Sequence, residues 1–215
     1  VRLPNQTQRT AVLGRTGSGK SIFSLWLLSK QQFNIPWYII DYKIEKEIAR
    51  IPKRQLIEKS VTDNLSKKPG LFIVRPLPTD ESAVEDFMWR VWEQGRTGIF
   101  IDEAHMLPDK AAFQALLTQG RSKRIPMIVV SQRPVWVSRF VFSEADFYAV
   151  FHLNDRRDHA TVESFVPVDL DRPLPQFHCY WHDVAKNETV ILSPVPEPTI
   201  LRERIADKVP RPLWA

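Results

Sequence analysis

The sequence predicts an α/β fold: a mainly parallel, doubly wound sheet flanked by helices, closed by a C-terminal β-hairpin and a Pro-rich tail. Three observations carry this. Short apolar or β-branched runs alternate with longer amphipathic segments from about residue 10 to residue 153, which is the pattern of strand–helix–strand crossovers. A glycine-rich turn, "GRTGSGKS", joins the first such run to the first amphipathic one. After Pro167 the texture changes to strand, turn, strand. At 215 residues the chain is long enough to bury a core without disulfide staples.

"TAVLG" (10–14) reads as the first strand and "KSIFSLWLLSKQQ" (20–32) as the helix after it. "WYIID" (37–41) and "LFIVRP" (71–76) are further strands, the second closed by Pro76. Between them residues 43–68 are charged and expected to be helical in parts, interrupted at Pro52. "DESAVEDFMWRVWEQ" (80–94) has a helical apolar stripe and an acidic first turn, with Asp80 as its expected cap. "GIFID" (98–102), a helix over 109–120, "MIVVS" (127–131) and "DFYAVFHL" (146–153) complete the alternation. "FHCYW" (177–181), the turn "AKN" (185–187) and "ETVILS" (188–193) form the expected hairpin. These divisions suggest an α/β core over residues 1–166 and a C-terminal hairpin and tail over 167–215, packed on the core or extending from it.

Composition narrows the function classes. Hydrophobic residues make up 43% and charged residues 26%, ordinary values for a globular chain. The net charge of +5 permits a polyanionic partner without requiring one. The single Cys179 excludes an intrachain disulfide, and no Cys-x-x-Cys pair exists for zinc. No apolar run approaches the ~20 residues of a membrane span, and "VRLPNQTQRT" has no signal-peptide core. Direct membrane insertion is therefore not expected.

"GRTGSGKS" fits G-x-x-x-x-G-K-[ST] between a strand and a helix. Glycine lets the loop turn tightly enough for its N–H groups and the helix N-terminus to encircle phosphates. Gly14, Arg15, Thr16, Gly17, Ser18, Gly19, Lys20 and Ser21 are thus the expected ATP-binding residues. Lys20 would reach the terminal phosphates and the Ser21 hydroxyl would ligate Mg²⁺. "GIFIDEAH" (98–105) places Asp102 and Glu103 at the end of a buried strand. Asp102 is expected in the Mg²⁺ shell and Glu103 as the carboxylate that polarises the attacking water. The paired acids favour hydrolysis over phosphate transfer to a small molecule. They belong to the branch of P-loop proteins with a catalytic glutamate and an additional strand between the two motif strands. The letters "DEAH" do not make this a helicase of that name, which resembles two tandem P-loop domains. His105 is read as a surface or capping residue.

"GRSKRIPMIVVSQRP" (120–134) brackets a strand with a basic turn and a Gln-Arg-Pro exit. As the strand following Asp-Glu, it is expected between the two motif strands. Gln132 would then meet the γ-phosphate or the attacking water, Arg133 would anchor the next turn and Pro134 would stiffen it. The turn holding Arg121, Lys123 and Arg124 lies at the opposite end of the strand, out of reach of its own nucleotide, where an arginine can serve a neighbouring subunit. Arg124, one helical turn away, is the alternative to Arg121.

This segment resembles the Gly-Arg…strand…[ST]-Gln-Arg-Pro segment of the FtsK–HerA superfamily of DNA-pumping ATPases. With "GRTGSGKS", "WYIIDYK" and "IFIDEAH", the chain is most similar to its compact single-domain members, the genome-packaging ATPases of tailless, membrane-containing viruses and related phage-encoded proteins. The resemblance covers roughly residues 10–165. It implies a RecA-like P-loop core, a homo-oligomeric ring that is usually a hexamer, double-stranded DNA in its pore, Arg121 as a trans-acting finger and Gln132 as the sensor amide. Membrane spans, a winged-helix DNA reader and an amino-terminal barrel, found in larger members, do not fit in this length. Targeting would then come from a portal, capsid-vertex or membrane protein, in the host cytoplasm or at the packaging vertex of the virion. The hairpin and tail are read as a docking element, a clasp to the next subunit or a cover for the sheet edge.

Lys67, Lys68, Arg90, Arg96, Arg156 and Arg157 are the candidate DNA-phosphate contacts. Trp26, Trp89 and Trp92 lie in helical apolar stripes and are read as core; Trp136 and Trp181 have no assigned role. The function expected is an ATP-driven DNA translocase that packages a viral or prophage genome. The rival readings are a P-loop assembly or export factor of phage morphogenesis and a slow nucleotide-dependent switch.

Overall fold

The computed structural model describes residues 1–108, 110–172 and 174–210. Its strands are β1 (Arg9–Leu13), β2 (Pro36–Asp41), β3 (Leu56–Lys59), β4 (Gly70–Val74), β5 (Gly98–Asp102), β6 (Met127–Ser131), β7 (Phe147–Val150), β8 (Cys179–Asp183) and β9 (Glu188–Leu192). They form one nine-stranded sheet in the order β3-β4-β2-β5-β6-β1-β7-β8-β9. Every pairing from β3 across to β7 is parallel, and β8 and β9 add antiparallel strands to the β7 edge.

Helices cover both faces, which is why the inner strands are buried at every position and mostly apolar, not alternating. Alternate side chains of each strand feed different cores. Tyr38 and Ile40 face α3 (Glu81–Gln94), α4 (Ala111–Gln119), α5 (Arg139–Ser143) and α6 (Arg156–Glu163), which supply Phe87, Met88, Phe113, Leu116, Phe142 and Val162. Trp37 and Ile39 face α1 (Lys20–Lys30), α2 (Lys46–Ala49) and α7 (Pro198–Lys208), which supply Phe23, Leu27, Ile48, Leu201 and Ile205.

The structure revises several sequence readings. The charged stretch after β2 holds only a one-turn helix and then the edge strand β3, whose Glu58 is exposed and whose Lys59 is half-buried. The tail is not an extended Pro-rich arm: Pro198 starts α7, as a proline at the first turn can, and Leu201 and Ile205 dock on α1. Residues 211–215, and the expected helix start at Asp109, lie outside the described residues. Asp80 precedes α3 but makes no side-chain cap; its Oδ2 accepts from the Leu77 amide at 2.8 Å. Trp26, Trp89 and Trp92 are half-buried residues on the margins of the cores.

The hairpin covers the β7 edge. Trp181 on β8 stacks on Phe147, with ring centroids 5.2 Å apart. The amino terminus straps the pair: Arg2 Nε donates to Asp183 Oδ2 at 2.6 Å, its guanidinium lies 4.6 Å over the Phe147 ring, and Trp181 Nε1 donates to the Arg2 carbonyl at 3.2 Å. Cys179 is buried in the same strand, and burial pushes its thiol up to about 12, an inert packing residue.

Gly98, which begins the acid-bearing strand, is required by close approach. A Cβ there would lie 2.2 Å from two atoms of the fully buried Trp37 indole on the neighbouring strand. Neither strand can yield without breaking the ladder that aligns Trp37 with Gly98. Gly98→Ala should therefore destabilise the fold by about 1–3 kcal/mol, read as a lower denaturation midpoint.

Candidate nucleotide site

β6 lies between β1 and β5, aligning Leu13 with Ser131 and Val129 with Ile101. The carboxyl ends of these strands therefore release three segments at one edge of the sheet: the loop 14–19, Gln132 with Arg133, and Asp102 with Glu103. The expected inserted strand is thus present.

The loop is held from below. The Gly14 amide donates to the Ser131 carbonyl at 3.2 Å and the Arg15 amide to the His152 carbonyl at 2.9 Å. Gly17 and Gly19 have φ of 78° and 101°, in the left-handed region that side chains disfavour. α1 starts directly behind the loop at Lys20, with no side-chain cap and no acid in its first turn. Its free N–H groups and positive dipole end face the concavity, as phosphate requires. The Lys20 ammonium is buried, and desolvation lowers its pKa against the opposing pull of Glu103, Asp102 and Glu45.

Asp102 faces this ammonium from β5. Burial, then repulsion from Glu103, Glu45 and Asp41, pushes its carboxyl up to about 7. Its Oδ2 is buried without a hydrogen-bond partner. Ser21 Oγ lies 3.4 Å from Glu45 Oε2. Among the described residues no cluster of three His, Cys, Asp or Glu forms a closed metal cage. A buried carboxylate oxygen without a partner, on Asp102, together with the Ser21 hydroxyl at the start of α1 nevertheless suits Mg²⁺, which keeps several waters and takes substrate phosphate oxygens. The adjacent Asp41 has other work: Oδ2 accepts from Arg75 Nε at 3.2 Å and Oδ1 from the Glu45 amide at 2.9 Å.

Glu103 turns the chain out of β5 at φ 55°. Its side chain is 4% exposed, and Oε1 accepts a hydrogen bond from Lys43 Nζ at 3.0 Å. Oε2 has no hydrogen-bond partner and faces His105 Nδ1 at 3.4 Å. Desolvation holds the His105 pKa below its ordinary value. His105 is therefore a half-buried neighbour of the glutamate and not a surface residue, its ring 6.2 Å from that of the exposed Trp136.

Gln132 meets the phosphate loop itself: its Oε1 accepts from Thr16 Oγ1 at 2.5 Å. Arg133 anchors the next turn, with Nη2 3.1 Å from Asp155 Oδ2, Nε 3.6 Å from Asp158 Oδ2 and the guanidinium 4.3 Å over Trp136. Arg121 lies elsewhere, on the turn before β6 at the opposite end of the sheet, 65% exposed and 3.7 Å from Asp146 Oδ1. Two contributions escaped sequence reasoning. One is Lys43, in the quoted "WYIIDYK", two residues beyond Asp41. The other is a pocket of about 270 Å³ against Gly19 and Ile22, walled by Phe23, Phe151, Phe177 and the segment 194–198; the prolines there signalled a rigid wall.

A glycine-rich phosphate loop, an acid pair on a separate strand and a third strand inserted between them give the layout of a P-loop ATPase. The chain is 43% identical over 209 residues to the DNA packaging ATPase P9 of Enterobacteria phage PRD1, with 91% of each covered, and it belongs to that family of DNA packaging ATPases. No protein-family profile matches it. The fold is shared with the genome packaging NTPase B204 of Sulfolobus turreted icosahedral virus 2 in complex with AMPPCP, at TM-score 0.69 and 20% identity over 89% of this chain and 100% of that one. It is also shared with the pCW3 conjugation coupling protein TcpA bound to ATPγS, at TM-score 0.59 and 16% identity over 86% of this chain and 59% of that one.

The raised Asp102 pKa has a definite sign. The folded protein retains a proton that the unfolded chain releases above about pH 4, so stability falls as pH rises from there to about 7. Asp102→Asn should raise the melting temperature of the nucleotide-free protein more at pH 8 than at pH 5, while removing Mg²⁺-dependent hydrolysis.

Proposed function

We propose that this chain is an ATP-driven, ring-forming translocase that moves double-stranded DNA into a viral particle. Support for packaging comes from the 43% identity to a DNA packaging ATPase over 91% of each chain. Support for the ring comes from one observation: Arg121 stands exposed at the sheet end opposite its own phosphate loop. An arginine there is out of reach of its own nucleotide, and a hexameric ring would present each Arg121, on leaving its 3.7 Å contact with Asp146, to the next site.

In this reading the loop Gly14–Ser21 holds the phosphates of ATP, with Lys20 on the terminal ones. Ser21 and Asp102 would hold Mg²⁺, which supplies charge neutralisation at the phosphate oxygens. The base lies in the apolar pocket under Phe177 and the 194–198 segment, near the small end of ligand-pocket sizes (about 300–1,000 Å³). Lys43 fixes one oxygen of Glu103, leaving Oε2 as the acceptor for a proton of the attacking water. The water oxygen bonds to the γ-phosphorus as the bond to the β–γ bridging oxygen breaks. Gln132, already against Thr16, senses the γ-phosphate, and the neighbour's finger stabilises the charge that develops there. No helix among the described residues is long and apolar enough to cross a membrane. Attachment is assigned to a portal, capsid-vertex or membrane protein, with the motor working in the host cytoplasm and at the virion vertex.

Glu103→Gln should keep ATP binding and lower turnover by about 100-fold or more; unchanged turnover contradicts the water-activating role. Arg121→Ala and Lys20→Ala subunits, each inactive alone, should recover partial ATPase activity when mixed, because one parent-like interface forms. No recovery from verified mixed rings contradicts the finger in trans.

A further inference from the structure

The sheet separates charge along its strands. Its carboxyl end carries Asp41, Glu45, Asp102, Glu103, Asp155 and Asp158, and three of the arginines there are paired with acids: Arg75 with Asp41 and Glu58, Arg133 with Asp155 and Asp158, Arg157 with Asp155. The amino end is different from β3 across to β6. Lys53 lies on the turn before β3, Lys67 and Lys68 before β4, Arg96 before β5 and Arg124 before β6, and all five are exposed. None of them makes an ion pair among the described residues; Arg121, on the last of these turns, pairs with Asp146.

These cations stand on fixed turns. The Arg96 amide donates to the Lys123 carbonyl at 2.9 Å and the Arg124 amide to the Arg121 carbonyl at 3.1 Å. The backbone leading to Lys67 is tied down at Ser66, whose amide donates to the Tyr38 hydroxyl at 2.6 Å and whose carbonyl accepts from Gln94 Nε2 at 3.0 Å. Lys67 and Arg96 flank one open groove of about 480 Å³, floored by Asn34, Ile35 and Gly95. Arg90, by contrast, is withdrawn: its guanidinium donates to the carbonyls of Val61 and Asp63.

We infer that this row, Lys53–Lys67–Lys68–Arg96–Arg124, is a phosphate-backbone track for duplex DNA. The inference rests on the translocase reading and specifies which face of the subunit meets DNA. At roughly 4.8 Å between neighbouring strands the row spans about 19 Å, along which a duplex presents about eleven phosphates. The acidic carboxyl end would repel the same phosphates. DNA and nucleotide thus occupy opposite ends of the strands, about 16 Å apart along a five-residue strand, and neither blocks the other. Backbone contacts of this kind carry no sequence preference, as a motor that must pass any sequence requires.

The test uses the full chain and a linear duplex, with affinity measured by fluorescence anisotropy between 50 and 200 mM salt. Removing one cation from the phosphate backbone lowers the slope of log K against log salt by about 0.9. The Lys67→Ala/Lys68→Ala/Arg96→Ala variant should reduce the slope by about 2 to 3 and the affinity at 100 mM salt by at least about tenfold. Its DNA-free ATPase rate should match the parent's. The Lys67→Ala/Lys68→Ala variant, confined to one turn, should reduce the slope by about 2 and guards against a folding defect in the triple variant. Arg156→Ala/Arg157→Ala, at the acidic end, should change neither quantity. Parental slope and affinity in both Lys67 variants overturn the track, as does an equal reduction in the Arg156/Arg157 variant. A parent chain that binds no duplex overturns the translocase reading and the track with it.

Discussion

Two carboxylates, Asp102 and Glu103, are kept nearly dry at the end of a central strand with fewer cations than their charge requires. Lys43 satisfies one oxygen of Glu103, and Lys20, itself partly desolvated, opposes the pair without cancelling it. Burying unpaired charge is costly, so the nucleotide-free site is poised for a cation. A Mg²⁺ ion carried in on ATP phosphates would bring the missing positive charge, and the Gly14–Ser21 loop beside α1 would hold the anion that accompanies it. Binding energy and local electrostatic relief then come from the same event.

Topology makes that event possible. Only because β6 is threaded between β1 and β5 do the loop, Gln132 and the acid pair leave the sheet side by side. The close fit of Gly98 under Trp37 holds the acid-bearing strand in register. The C-terminal additions serve two ends at once. β8 and β9 shield the β7 edge, and the segment joining β9 to α7 walls the pocket beside the loop, so the tail is tied to the nucleotide site.

Much of this was legible in the chain. The inner strands are runs of Val, Ile, Leu and Phe with few polar interruptions, and the site motifs are contiguous, so Lys20, Ser21, Asp102, Glu103 and Gln132 could be named and placed. β3 escaped because an edge strand tolerates Glu58 and Lys59, and charge there looks like helix or loop. α7 escaped because its prolines outweighed the Leu201–Ile205 spacing that marks its buried seam. Lys43 and Phe177 come from separate segments and reach the site only in the folded chain. Lys67 and Arg96 belonged to the sequence-based set of DNA candidates, but nothing local distinguished them from Arg90 and Arg157; only the fold shows which cations are already spent on protein partners.

The central claim is a motor whose sites are completed between subunits and driven by DNA. The most direct measurement is the steady-state ATPase rate per subunit at low salt, with and without linear double-stranded DNA, across a range of protein concentrations. The account predicts a rate that climbs with concentration as rings assemble and climbs again when DNA is added. A slow rate that responds to neither would contradict it and favour a nucleotide-dependent switch.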